Sequence, residues 1–129
     1  MRYHLDTDFL IKALSSHGAE WARLRTLTAA DDEVELSALV WFEFARGDRS
    51  PQQLAVARDC LDAEGVVEFT EQHADRASDH FRRLGRPRRR AFDVAIAAVA
   101  LERDATLLTG NLRDYSDVDG LRVERVTSD

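Results

Sequence analysis

Cysteine is nearly absent from this chain of 129 residues: Cys60 stands alone, so no internal disulfide can form, which agrees with a reducing compartment. Lysine also occurs once, as Lys12, and proline only twice. With 44% hydrophobic and 33% charged residues, the shortage of proline excludes a disordered tail and describes a folded chain. No apolar run is long enough to span a bilayer, and the opening "MRYHLDTDFL" turns polar too soon to act as a secretory signal. A cytoplasmic protein with no membrane partner is expected. The length fits one domain, residues 1–129, around one core.

What charge there is lies unevenly. The formal net charge of −6 argues against a protein that coats nucleic acid over its whole surface. Residues 82–90, "RRLGRPRRR", nevertheless hold six arginines, a local basic patch on an acidic body.

Hydrophobic patterning divides the chain into alternating strands and helices. "RYHLD" reads as a buried strand ending at Asp6, and "DFLIKALSS" as a helix with Phe9, Leu10, Ala13 and Leu14 on one stripe. A second helix over about 19–29 places Trp21, Leu24 and Thr28 in register. "EVELSALVWFEFARG" predicts a strand to Ser37 and then a helix stopping near Gly47. Ser50, Pro51 and Gln53 form a capping-box signature for the next helix. "GVVEFT" is a strand, Thr70 caps a helix carrying Ala74, Ala77, Phe81 and Leu84, and an arginine-rich loop leads to the helix "AFDVAIAAVALE". The strand "ATLLT", the turn "GNLRDYSDVDG" and the strand "LRVERV" complete the chain. Strands separated by helical crossovers predict an α/β protein, a three-layer α/β/α sandwich with a mostly parallel sheet of about five strands.

In such a sheet ligands bind beyond the carboxyl ends of the strands, where strand order reverses. Asp6 ends the first strand, Glu43 lies one to two turns into the helix after the second, and Asp93 lies in the first turn of the helix before "ATLLT". Asn111 and Asp114 follow that strand. Asp93 needs a reason for its place, because its helical neighbours Ile96, Ala97 and Ala100 form an apolar face. Gathered together, such acids would repel one another and raise each other's pKa values unless a cation compensates. Oxygen ligands with several waters describe magnesium or manganese, and such an ion can activate water for attack on phosphorus. Zinc is not indicated, since His4, His17, His73 and His80 stand at no ligand spacing from Cys60. His73 and His80 read as surface residues.

Each acid also has a plainer reading. Asp6 could be a helix N-cap, Asp8 a first-turn acid favoured by the helix dipole, Glu43 an exposed helical glutamate and Asp93 a cap. Trp41, Phe42 and Phe44 crowd Glu43 and favour a buried role. Thr7 and Thr109 could be strand-end hydroxyls with ordinary partners.

At these residues the chain resembles the PIN-domain ribonucleases, and among them the VapC-type toxins of bacterial toxin–antitoxin pairs. "HLDTDFLIKAL" resembles the opening motif, "LSALVWFEFARG" the second, "RAFDVAIAAVALERDATLLTGNLRDY" the third and fourth together, and "GLRVERV" the closing strand. The blocks stand in the family's order and span nearly the whole chain. The resemblance implies a magnesium-dependent endoribonuclease, usually a dimer, held inactive by a cognate antitoxin whose tail covers the acidic site. It implies Asp6, Glu43 and Asp93 as metal-binding acids, with Thr109 and either Asn111 or Asp114 completing the catalytic pocket. Many relatives have aspartate where Asn111 stands; an amide can accept from water but cannot share the negative charge. The relatives imply a transfer or ribosomal RNA loop as substrate, since splayed bases can be read there. Arg86, Arg88, Arg89 and Arg90 could grip RNA phosphates, pair with an acidic antitoxin segment, or simply be solvated.

Two other enzyme-like readings fail on residues. A haloacid dehalogenase-type phosphatase matches the DxD of "LDTDF" but wants Thr or Val where Leu10 stands, and a receiver domain needs a late lysine, whereas the only one is Lys12. The remaining alternative is a non-catalytic PIN-like module that binds RNA or protein, for which Asn111 is the one hint.

Overall fold

The computed structural model describes residues 1–127. Five strands form one sheet in the order β3-β2-β1-β4-β5, every neighbouring pair parallel. In chain order these are β1 (Arg2–Leu5), β2 (Glu33–Ser37), β3 (Val66–Val67), β4 (Thr106–Thr109) and β5 (Arg122–Arg125). The helices are α1 (Thr7–Ser16), α2 (Ala19–Ala29), α3 (Ala38–Ala45), α4 (Pro51–Asp59), α5 (Glu71–Arg83) and α6 (Ala91–Glu102). Helices flank the sheet, with α1 packed on α2 and α5 on α6, in the expected α/β/α sandwich.

The three central strands, β1, β2 and β4, are buried along nearly their whole length, while β5 at the edge of the sheet is not. Val34, Leu36, Leu107 and Leu108 are fully covered, as parallel strands between helical layers require. Phe9, Leu10 and Ala13 of α1 pack into the same core, and Leu14 lies partly buried against it. On α2 the inward face carries Leu24 and Leu27, while Thr28 is exposed and returns its hydroxyl to the Leu24 carbonyl. "GVVEFT" yields only the two residues of β3, and the arginine-rich loop contains one turn of 3-10 helix at Arg88–Arg90. The Ser50 capping box is present in full.

His73 is a correction to the surface reading, being buried. It closes a capping box with Thr70, its Nδ1 accepting from the Thr70 N–H, and its Nε2 lies 2.9 Å from Glu102 of α6. A second buried polar group joins β1 to β2: His4 Nδ1 lies 2.8 Å from Glu35, whose carboxylate also accepts from Arg103. Burial alone would raise the Glu35 pKa, but the hydrogen bonds from His4 and Arg103 outweigh it and hold the carboxyl below its ordinary value.

Because β1 is central, the chain runs outward through β2 and β3 and then returns to place β4 on the other side of β1. The carboxyl ends of β1 and β4 therefore meet at the point where strand order reverses. Asp6 stands there, its N–H donating to the Leu108 carbonyl at 3.2 Å.

Candidate active site

Asp6 follows β1 directly and serves as N-cap of α1, one carboxylate oxygen accepting from the Phe9 N–H at 2.8 Å. Its other oxygen accepts from the Thr109 hydroxyl at 2.5 Å, and that hydroxyl accepts from the Asn111 N–H at 3.0 Å. The plain reading of Asp6 as a cap is thus correct, and the cap faces the strand-end cavity as well. Glu43, on α3, accepts from the Thr7 hydroxyl at 2.7 Å. Asp93, in the first turn of α6, accepts from the Tyr115 hydroxyl at 3.3 Å. It does not cap α6, whose N-cap is Arg90 without a side-chain bond. Each of the three acids is therefore held by one hydroxyl from a different part of the chain.

Asp6, Glu43, Asp93 and Asp114 line one cavity of about 310 Å³, together with Thr7, Asp8, Ile11, Arg46 and Tyr115. A larger hollow of about 670 Å³, bordered by Glu68, His73, Glu102 and Arg103, gathers fewer carboxylates. Asn111 is not on the lining: its exposed amide donates to the Asp114 carboxylate at 2.6 Å. The amide orients the acid that does reach the cavity.

The electrostatic cost of this gathering is visible. Burial pushes the Asp6 carboxyl up to about 6, opposed by its bonds from Thr109 and Phe9 and reinforced by the charges of Asp8 and Asp93. Asp93 is also pushed up to about 6, by burial, then by Asp114 and Glu43, against the opposing effects of Tyr115 and Arg90. Burial and the charges of Asp6 and Asp93 hold the Tyr115 phenol far above its ordinary value, so it stays a donor. Against five carboxylates the lining sets a single arginine, Arg46, so the cavity is short of compensating positive charge.

Among the described residues, no three His, Cys, Asp or Glu side chains already form a group that could hold a metal ion. The acids ring the cavity rather than closing into a cage. Their donor atoms are all hard oxygens, which fits an ion such as magnesium that takes one or two carboxylates directly and keeps several waters.

The four arginines expected to bind RNA or antitoxin fall into two kinds. Arg88 and Arg89 are exposed, and Arg86, at φ 58°, borders a hollow with Ala77, Phe81 and Val94 between α5 and α6. Arg90 is spent within the fold, donating to both Asp117 oxygens at 2.9 and 2.6 Å and to the Asp114 carbonyl at 2.7 Å. It braces the loop that carries Asp114.

Sequence reasoning passed over Tyr115 and Arg46 and left Thr7 as an ordinary hydroxyl. Thr7 beside Asp6 was the readable signal; Tyr115 sits in an irregular turn, where no periodicity marks a buried phenol.

A family model of the PIN domain matches residues 3–121. The chain belongs to the PIN-domain family. PIN domains are generally nucleases and typically use divalent metal ions. No curated protein matches the sequence. Among solved structures, this PIN domain is similar to VapBC2 from Rickettsia felis bound to a DNA fragment from its promoter, with TM-score 0.78 and 20% identity over 97% of this chain and 98% of that chain. It is similar also to DNA-bound VapBC from Salmonella typhimurium, at TM-score 0.74 and 22% identity over 97% and 98%. FitAcB from Neisseria gonorrhoeae gives TM-score 0.70 and 20% identity over 94% and 95%. At these identities the likeness is one of fold. Among the described residues no helix is long and apolar enough to cross a membrane.

Proposed function

We propose that this chain, a single PIN domain over residues 1–129, is a magnesium-dependent endoribonuclease. On this reading it is the toxin of a type II toxin–antitoxin pair, acting in the cytoplasm as a homodimer and restrained by a cognate antitoxin. The observation that carries the reading is the convergence of Asp6, Glu43, Asp93 and Asp114 on one strand-end cavity. The similarity to VapBC structures supports the antitoxin as partner. The substrate is a transfer or ribosomal RNA loop.

In this reading Asp6, Glu43 and Asp93 hold the ion, with Asp114 completing the site and Asn111 orienting it. Held there, magnesium, or manganese in its place, would supply positive charge for the phosphate and would lower the pKa of an attacking water. Asp6 and Asp93, both pushed up to about 6, would be favoured in their charged form by a cation held there. Thr109, Thr7 and Tyr115 keep the acids in place through their hydroxyls. Arg86, Arg88 and Arg89 meet the flanking phosphates or an acidic antitoxin segment.

The test is cleavage of transfer and ribosomal RNA by the purified chain, free of antitoxin, with magnesium and with EDTA. Magnesium-dependent products that vanish in Asp6→Asn and Asp93→Asn support the proposal. A second reading, a non-catalytic RNA- or protein-binding module, draws on the lack of a ready metal-holding group among the described residues and on the amide at Asn111. It prevails if RNA is bound but never cut with any divalent ion.

A further inference from the structure

Among the described residues, Arg46 is the one cation on the lining of the acid cavity. Several arginines of this fold are closed on a carboxylate, as Arg2, Arg23, Arg90, Arg103 and Arg122 are, or laid on an aromatic ring away from the site, as Arg25 and Arg58 are. Arg46 differs from both groups. Among the described residues it forms no ion pair with any of the acids that share its cavity, and its guanidinium carbon lies 5.4 Å from the centre of the Phe42 ring. Phe42 stands one helical turn before Arg46 on α3, beside Glu43, and is 54% exposed.

A guanidinium lying on a ring keeps its edge N–H donors free, and its planar fork suits phosphate oxygens. A polyanion entering a cavity lined by Asp6, Asp8, Glu43, Asp93 and Asp114 is repelled unless a cation meets it there. An exposed aromatic next to such a cation provides a stacking surface for an unpaired base, the pairing of charge and ring that single-stranded nucleic acid binding uses. We infer that Phe42 and Arg46 form the substrate-binding edge of the cavity, Arg46 taking a backbone phosphate of single-stranded RNA and Phe42 stacking on the neighbouring base. The inference rests on the nuclease reading for its substrate class. It adds two residues outside the acid set and the arginine-rich loop.

The probe is a fluorescein-labelled single-stranded RNA oligonucleotide of mixed sequence, measured for cleavage in magnesium and for binding by anisotropy in EDTA over a range of salt. Arg46→Gln is expected to raise KM and the dissociation constant about tenfold while kcat stays within about threefold, and to lower the salt slope by about 0.7, the value for one lost phosphate contact on a single strand. Arg46→Lys recovers much of the affinity, and Phe42→Leu weakens binding at least fivefold with the mass in solution unchanged. Unchanged affinity and salt slope in Arg46→Gln, with wild-type cleavage intact, overturns the inference and leaves the nuclease reading standing. Binding that Arg46→Gln weakens, in a protein that never cuts, sinks the nuclease reading and keeps the inference. Phe42→Leu that alters the oligomeric mass but not RNA binding assigns the ring to contact between copies and overturns its stacking role. A wild type that neither binds nor cuts the RNA overturns both.

Discussion

Replacing Asp93 by asparagine should stabilise the metal-free protein while abolishing cleavage. The Asp93 carboxyl is pushed from its ordinary 3.8 up to about 6, so ionising it in the native state is costly. At about 1.4 kcal/mol for each tenfold change in acidity, the rise corresponds to about 3 kcal/mol at neutral pH, and partial exposure discounts this to about 1 to 2 kcal/mol. Because the native value lies above the unfolded one, this penalty is absent below about pH 4 and grows as pH rises from about 4 to 6. Asparagine keeps an oxygen to accept from Tyr115 and removes the charge that Asp114 and Glu43 oppose. In EDTA at about pH 7.5, the melting temperature of Asp93→Asn should exceed that of wild type by about 3 to 10 °C, and the two should coincide near pH 4. Magnesium should raise the wild type more than the variant. Differential scanning fluorimetry over that pH range is the assay. A variant that melts lower than wild type at about pH 7.5 refutes the reasoning, since Asp93 would then stabilise the fold as an ionised partner.

Other consequences follow from the same contacts. Tyr115→Phe removes the donor to Asp93 and should cut kcat for magnesium-dependent RNA cleavage about tenfold, moving the acid limb of the pH–rate profile upward while the melting temperature shifts by about 3 °C or less. Glu35→Gln leaves Arg103 without its countercharge and should cost about 2 kcal/mol in urea unfolding at neutral pH. The Glu35 carboxyl is held below its ordinary value, so the gap between the two proteins should close as pH falls through that lowered value. Ser50→Ala breaks a complete capping box and should lower stability by about 1 kcal/mol without touching cleavage.

What could be read in the sequence was whatever the chain encodes locally. The stripe of Phe9, Leu10, Ala13 and Leu14, the capping box at Ser50 and the strand "ATLLT" each carry their meaning within a few residues; the cap and the strand stand as read, and of the stripe Leu14 is only partly buried. The placing of Asp6 needed one more rule, the reversal of strand order beside β1, and the sheet order supplies it. Pairings across long separations were not legible. His73 finds Glu102 on another helix, Arg90 finds Asp117 beyond β4, and Glu35 takes His4 on one side and Arg103 on the other. Nothing near these residues in the chain distinguishes them from solvated ones. The site was legible in its acids and not in its hydroxyls, because a carboxylate on an apolar helix face is locally anomalous and a tyrosine in a turn is not.

Asp6 and the Thr109 hydroxyl that grips it are separated by 103 residues, and Asp114 is later still. During translation the opening strand must wait at the middle of an unfinished sheet until β4, about a hundred residues later, has emerged to pair with it. A chain that ends before Tyr115 lacks a wall of the acid cavity, because the acids that line it come from both halves of the sheet.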